Sequence, residues 1–148
     1  DILPVSCSRL GLALSWDRGS HTVDLDLQAV VFDTTGKLLD AVYYNNLKAF
    51  SRGLTHSSDE TTGEKSGLDE VVWADFRRLP PEVGLIVFVA ACHSGHLKDA
   101  LNGKFHVLED TPSGEVAQFR LEESEEEVDV IAAVLRDSSG WTFRLIHE

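Results

Sequence analysis

The residues of this chain best suited to chemistry are clustered carboxylates, amides and hydroxyls. They occupy three stretches: residues 24–26 (Asp-Leu-Asp), 43–46 (Tyr-Tyr-Asn-Asn) and 57–70, which reads SSDETTGEKSGLDE. Calcium takes six to eight oxygen ligands from such groups and tolerates irregular geometry. Glycines at positions 63 and 67 permit backbone turns that direct oxygens towards a common centre. The three stretches therefore predict a Ca2+ site assembled from separate parts of the chain.

The third stretch belongs to a longer polar segment, expected to run as a loop from Phe50 to Glu70. Loops of that length without secondary structure are uncommon in compact domains and are usually functional or disordered. A solvated connection is the alternative interpretation of the segment. The same alternative applies to the acidic run at 122–127, for which a second cation site or a dock for a basic partner is the other hypothesis.

Composition limits the classes of partner. The 148 residues correspond to one domain, 1–148, and the net charge of -12 argues against nucleic acid and anionic membrane surfaces. No apolar run reaches the length of a membrane span, so membrane insertion is not expected. Cys7 and Cys92 are too few for a disulfide framework, which favours reduced thiols and a cytoplasmic location. The chain starts at Asp1 and contains no Met, so a processed product or a fragment is expected.

Short apolar stretches with alternating polarity predict the elements that would position these ligands. Leu10, Leu12, Leu14 and Trp16 recur with period two, and alternation places Asp24 and Asp26 opposite Leu25 and Leu27. A brief helical segment is expected at 96–102, ended by Gly103. The fold predicted is an all-β antiparallel sandwich of two sheets, with eight to ten short strands and long acidic loops. The predicted strands are 9–16, 23–32, 37–44, 71–76, 84–91, 105–109, 116–121, 128–135 and 141–146.

Two other constellations compete with calcium. Residues 92–96 (Cys-His-Ser-Gly-His) follow an apolar strand and resemble the nucleophile segment of caspase-like peptidases. That chemistry needs a histidine base from an earlier strand end, and neither His21 nor His56 has the expected context. Cys92, His93 and His96, with His106 nearby, suggest zinc, but the paired spacings typical of zinc sites are missing. Asp24 and Asp26 could in principle serve in acid/base catalysis. Because the sequence gives no evidence of a substrate cleft, cation binding is favoured.

The order of several motifs resembles the TerD family of tellurite-resistance and stress proteins. The motifs are residues 12–17 (Leu-Ala-Leu-Ser-Trp-Asp), 24–27, 43–47, the segment from Thr62-Gly63 to Asp69-Glu70, and Leu79-Pro80. The resemblance continues through the apolar strand from Leu85, the hairpin near Phe105 and the closing Gly140-Trp141. It covers nearly the whole chain. Each motif alone is weakly specific, whereas five in the same order are fairly specific.

The resemblance implies a β-sandwich that binds calcium at one end, has no enzymatic activity and acts as an interaction module for protein partners of unknown identity. Carried over by position, the implied ligands are Asp24, Asp26, Asn45, Asn46, Asp59, Asp69 and Glu70, with Thr62 and Gly63 shaping the loop.

The chain departs from the family pattern at two places in the loop. The family's Gly-Asp-Asp-Glu reads Gly-Leu-Asp-Glu here, since Leu68 replaces one carboxylate, and its Gly-Asp before Thr-Gly reads Ser58-Asp59. Glu60 and Glu64 are candidates to compensate. These changes leave the number of calcium sites open. They also support an alternative, a TerD-like structural or scaffold subunit of a larger assembly with a degenerate calcium site.

Overall fold

The structure, a computed structural model, describes residues 2–5, 8–17, 25–57, 70–92, 101–109, 115–120 and 128–146. Twelve strands are defined within these ranges, more than the eight to ten expected. They are β1 (Ile2–Pro4), β2 (Arg9–Asp17), β3 (Leu25–Asp33), β4 (Leu38–Val42), β5 (Lys48–Ala49), β6 (Leu54–His56), β7 (Glu70–Asp75), β8 (Val83–Cys92), β9 (Leu101–Glu109), β10 (Glu115–Arg120), β11 (Val128–Asp137) and β12 (Gly140–Leu145).

The strands form two six-stranded sheets. The first sheet has the order β1-β12-β11-β8-β3-β4, and the second has the order β10-β9-β2-β7-β6-β5. Neighbouring strands run antiparallel throughout. The predicted all-β sandwich is therefore confirmed. In the described part of the chain, no helix is long and apolar enough to cross a membrane.

The core lies between the sheets and follows from the alternation along their central strands. β8 lies between β3 and β11 in the first sheet and contributes Phe88, while β2 lies between β7 and β9 in the second and contributes Leu12 and Leu14. Phe105 and Phe143 are also buried in this core. Burying each of these residues stabilises the fold by roughly 1.5–3 kcal/mol relative to leaving it exposed.

Two predictions about local structure are wrong. Residues 101–103, expected to end a helical segment, belong to β9; residues 96–100 lie outside the described ranges. The segment from Phe50 to Glu70, expected to be a loop, contains β6. Leu54 is fully buried and pairs with Ala74, so β6 is a core strand. A strand of three residues is too short to be recognised from the alternation of apolar and polar residues along the sequence.

Candidate functional site

One group of titratable side chains joins strands of the two sheets. It contains Asp26 of β3, His56 of β6 and Glu70 of β7, each with a ligand atom within 4.8 Å of the others. Asp26 and His56 are 2% and 1% exposed, and Glu70 is half-buried. We call these three residues the interior triad. Two ionised carboxylates within this distance would repel one another by at least about 3.5 kcal/mol at an effective dielectric constant of 20, so the site favours a cation.

Strand alternation explains how the second sheet contributes to the triad. His56 lies two residues after Leu54, and Glu70 lies two residues before Val72; both Leu54 and Val72 are fully buried in the core. Because residues i and i+2 of a strand share a face, His56 and Glu70 point into the sandwich. Pairing of His56 with Val72 brings β6 alongside the start of β7.

The first sheet contributes Asp26 from an enclosed part of β3. Leu25, Asp26 and Leu27 are all buried, so the beginning of this strand is covered on both faces. Alternation predicts that Asp26 lies on the face of β3 opposite to that of Leu25 and Leu27. The structure shows that this second face is buried as well. A carboxylate buried to this extent needs hydrogen bonds or a neighbouring positive charge.

Hydrogen bonds from the first sheet hold both carboxylates in place. The backbone N–H of Leu27 donates to Glu70 Oε1 at 2.8 Å, and Gln28 Nε2 donates to Asp26 Oδ2 at 2.9 Å. Neither donor carries a formal charge. These contacts therefore orient the oxygens without neutralising them.

His56 supplies the nearest described positive charge. Its Nε2 lies 3.3 Å from Glu70 Oε1 and 3.7 Å from Asp26 Oδ1. Burial by itself would lower the pKa of His56, but hydrogen bonding and charge from Asp26 and Glu70 outweigh it and raise the pKa from 6.5 to about 9. The imidazole is therefore protonated at neutral pH. The triad then places one imidazolium beside two carboxyl groups.

This donor set fits calcium in part. The carboxylates of Asp26 and Glu70 are the hard oxygen ligands that calcium prefers, and together they offer at most four of the six to eight oxygens required. The imidazole of His56 is not a typical calcium ligand, and its protonated form repels a metal ion. Calcium binding at this position therefore requires further oxygens and movement or deprotonation of His56.

The structure brings together only some of the predicted ligands. Asp26 and Glu70 meet in the interior triad, as described above. Asn46 Nδ2 donates instead to Ala41 O at 2.6 Å and to Asp40 Oδ1 at 3.3 Å, while Asn45 is exposed in the turn after β4. The proposed role of both asparagines stays a prediction. The remaining predicted site residues lie outside the described ranges; they are Asp24, Asp59, Thr62, Gly63 and Asp69.

His56 is the residue that sequence reasoning missed as a site residue. From the sequence, His56 is a candidate only as the base for a cysteine nucleophile, and its position falls in a segment predicted to be a polar loop. The pattern Leu-Thr-His at 54–56 was the available signal, since a buried leucine at one end of a short strand places the histidine on the same face.

The two described members of the zinc constellation, Cys92 and His106, lie in different sheets. Cys92 is a buried free thiol at the end of β8, in the first sheet. His106 belongs to β9, in the second, and its Nε2 lies 2.8 Å from Ser15 Oγ. Cys7, His93 and His96 lie outside the described ranges. A buried thiol in apolar surroundings is typical of a structural cysteine.

Comparison with known proteins agrees with the predicted fold and with the family resemblance. The TerD domain profile matches residues 5–148. The chain is 29% identical to tellurium resistance protein TerZ of Serratia marcescens, over 92% of this chain and 77% of that protein. It is 30% identical to tellurium resistance protein TerD of an Alcaligenes species, over 91% of this chain and 77% of that protein. A crystal structure of a homologue of telluride resistance protein (TerD) from Streptomyces coelicolor superposes with a TM-score of 0.78 at 22% identity, covering 97% of this chain and 90% of that one.

Proposed function

The chain belongs to the TerD family, and on that premise we propose that it is a non-enzymatic calcium-binding domain that serves in resistance to tellurite or related chemical stress. In this proposal it acts as an interaction module for a protein partner. The names of the relatives support the link to tellurium resistance. The single observation that supports calcium binding is the convergence of Asp26 and Glu70 in the interior triad.

The proposed calcium site has Asp26 and Glu70 as its two inner carboxylates. Asp24 lies two residues before Asp26, and Asp69 is the immediate neighbour of Glu70, so two further predicted carboxylates are close along the chain. Together with Asp59 and the amides of Asn45 and Asn46, they would supply the additional oxygens. When bound, calcium neutralises the clustered carboxylates. The chain's own contribution is to orient Asp26 and Glu70 through Gln28 and Leu27.

One observation favours a second candidate function. His56 already provides a positive charge between the two carboxylates, at 3.3 and 3.7 Å. An internal ion triad can replace a metal ion as the element that joins the two sheets. The chain would then be a structural or scaffold subunit with a degenerate calcium site, as the replacement at Leu68 also suggests.

Thermal melts distinguish these two functions. Protein stripped with a chelator should melt at a higher temperature when calcium is added, and magnesium should have little effect because it demands smaller, octahedral geometry. A ligand present at a hundred times its dissociation constant adds about 2.7 kcal/mol of stability. We expect Glu70→Gln to abolish most of this response. Glu82→Gln, which makes the same change at an exposed turn, is the matched control and should retain it.

The scaffold function predicts no calcium response: calcium would leave the melting temperature of the wild type and of Glu70→Gln unchanged. In metal-free buffer Glu70→Gln should melt lower than the wild type under either function, because the imidazolium of His56 would lose a partner, so the response to calcium is what separates the two. A cellular test addresses the stress role: cells that depend on this chain for tellurite tolerance should lose it with Glu70→Gln and keep it with Glu82→Gln. Equal tolerance with both variants would contradict a role for the triad.

A further inference from the structure

The central strand β8 of the first sheet is apolar on both of its faces. Along this strand the buried Ile86 and Phe88 alternate with Leu85, Val87 and Val89, which are half-buried. Because residues i and i+2 of a strand share a face, the second set lies on the side of the sheet opposite the core. Strands that are apolar at successive positions are typical of sheets covered on both faces. The outer face of this sheet is therefore suited to a second layer.

Strand register extends this apolar face from β8 onto β11. Leu85 pairs with Leu135, and Val87 pairs with Ala133. On its other side Ala133 pairs with Arg144 of β12. These side chains line an open groove of about 420 Å³, to which residues 144–146 at the end of β12 also contribute. We call it the outer groove.

The outer groove has the width of one α-helix. Neighbouring strands lie about 4.8 Å apart, so β8 and β12 are about 10 Å apart, with β11 between them. The small Ala133 lies on this middle strand, and the larger Val87 and Arg144 flank it on either side. An α-helix with its side chains has a diameter of roughly 10–12 Å. One helix can therefore lie over β11 and contact both flanking strands.

The apolar surface of the outer groove is in contact with solvent. Leu135 is 39% exposed, and Leu85 and Val87 are half-buried, whereas Ala133 at the floor is 4% exposed. Arg144 is exposed at the side of the groove. The stem of an arginine can lie along apolar surface while its guanidinium stays in water. An apolar centre with a polar rim is typical of a surface that binds another protein.

Size and charge both argue against a second copy of this chain as the occupant. Three strands and about three residue pairs along them cover roughly 15 Å by 20 Å, on the order of 300 Å². A stable interface between two folded proteins needs about 800 Å² from each partner. Two copies would also repel each other, because each has a net charge of -12. The same charge attracts a basic partner at long range.

From the width of the groove, its apolar floor and the charge of the chain, we propose that the outer groove binds one basic amphipathic helix of another protein. The apolar residues of such a helix recur at i, i+3, i+4 and i+7 and would pack over Ala133, while its basic residues face solvent and the acidic chain. The inference rests on the proposed role as an interaction module and adds the surface and the kind of partner. It uses no residue of the interior triad.

Fluorescence anisotropy of a labelled synthetic peptide tests this proposal with the full chain. The peptide has about 18 residues, since shorter isolated helices are only marginally stable, with leucine at the helical spacing and lysine elsewhere. We expect saturable binding and a gain in the helical circular dichroism signal. Leu135→Gln should weaken binding by about tenfold or more, because it places a polar group in the groove. Leu38→Gln makes the same change at a leucine of β4 that is 58% exposed and should bind as the wild type does.

Two control peptides test the roles of the apolar stripe and of the charge. A peptide of the same composition in scrambled order, and one with glutamate in place of lysine, should each bind at least about tenfold more weakly. Equal binding of either control peptide, or equal weakening by both leucine variants, would overturn the proposal.

Sedimentation and melting experiments separate this inference from the other possible outcomes. The wild type alone should sediment as a monomer, and a dimer that Leu135→Gln disperses would assign the groove to a second copy instead. The response of the melting temperature to calcium should be the same in Leu135→Gln as in the wild type. If calcium raises the melting temperature but the peptide does not bind, the groove inference alone is wrong. If the peptide binds but calcium has no effect, the calcium site is wrong and the groove inference stands.

Discussion

Replacing His56 with glutamine should reveal how much the interior triad contributes to stability. The imidazole lies between two carboxylates at 3.3 and 3.7 Å and is 1% exposed. The rise of its pKa from 6.5 to about 9 corresponds to a net preference for the protonated form of roughly 3 kcal/mol. We therefore expect the metal-free variant to be less stable by roughly 3 kcal/mol at pH 6. At about 3 °C per kcal/mol, its melting temperature should fall by about 9 °C.

The pH dependence of this effect follows from the direction of the pKa shift. Because the pKa of His56 is higher in the folded state, its contribution is fully present below pH 6.5 and is lost as the pH rises through about 9. Wild-type stability should therefore decline across this interval, and the variant should lack that component. Calcium should reduce the difference between the two proteins, since a bound cation takes over the neutralisation of both carboxylates.

Melting curves recorded by circular dichroism from pH 6 to pH 9.5, with chelator and with calcium, measure both effects. His106→Gln is the matched control, because His106 is also buried but its Nε2 contacts a serine hydroxyl. Losing that contact should cost about 1 kcal/mol. The control should keep the decline in stability between pH 6.5 and 9. The reasoning is refuted if His56→Gln melts with the wild type at pH 6, or if its stability declines with pH as steeply as that of the wild type.

Three further predictions concern the fold. Phe88→Ala removes a fully buried ring from β8 and should cost about 3–5 kcal/mol in urea denaturation; a loss below 1 kcal/mol would show that the core is not tightly packed there. Gly11→Ala places a Cβ atom 3.0 Å from the Trp73 ring and should cost about 1–3 kcal/mol while shifting tryptophan fluorescence, whereas an unchanged spectrum would contradict this packing. Asp33 accepts hydrogen bonds from Thr35 and from the Lys37 backbone, which hold its pKa below 3.8, so its stabilisation is present above pH 3.8 and is lost as the pH falls further. Asp33→Asn should destabilise the protein at pH 7 and flatten its acid denaturation profile; an unchanged profile would contradict the assignment.

Long strands with regular alternation could be predicted from the sequence, and short ones could not. β2 and β8 contain many apolar residues at regular spacing, so local pattern and tertiary environment agree. β5 and β6 contain two and three residues; β5 pairs with β6, and β6 pairs with β7, which follows only after the long segment 57–69. The sequence predicts a helical turn at the start of β9, because no local signal in residues 101–103 outweighs their polar surroundings. Tertiary pairing determined their conformation.

The interior triad could be predicted only in part, because two of its members follow from local pattern and the third depends on long-range pairing. Asp26 and Glu70 were identified because oxygen-rich residues at the edges of apolar stretches indicate a cation site. His56 depends on the pairing of β6 with β7 and on the packing of the two sheets, which are long-range features.

A crystal structure of the calcium-loaded protein is the measurement that tests the central claim most directly. The proposed function predicts one ion with Ca–O distances of about 2.3–2.6 Å to carboxylate oxygens of both Asp26 and Glu70. It also predicts that His56 Nε2 has moved away from those oxygens. An ion bound elsewhere, with the contacts of His56 still at 3.3 and 3.7 Å, would contradict the claim and support the triad as a purely structural link between the sheets.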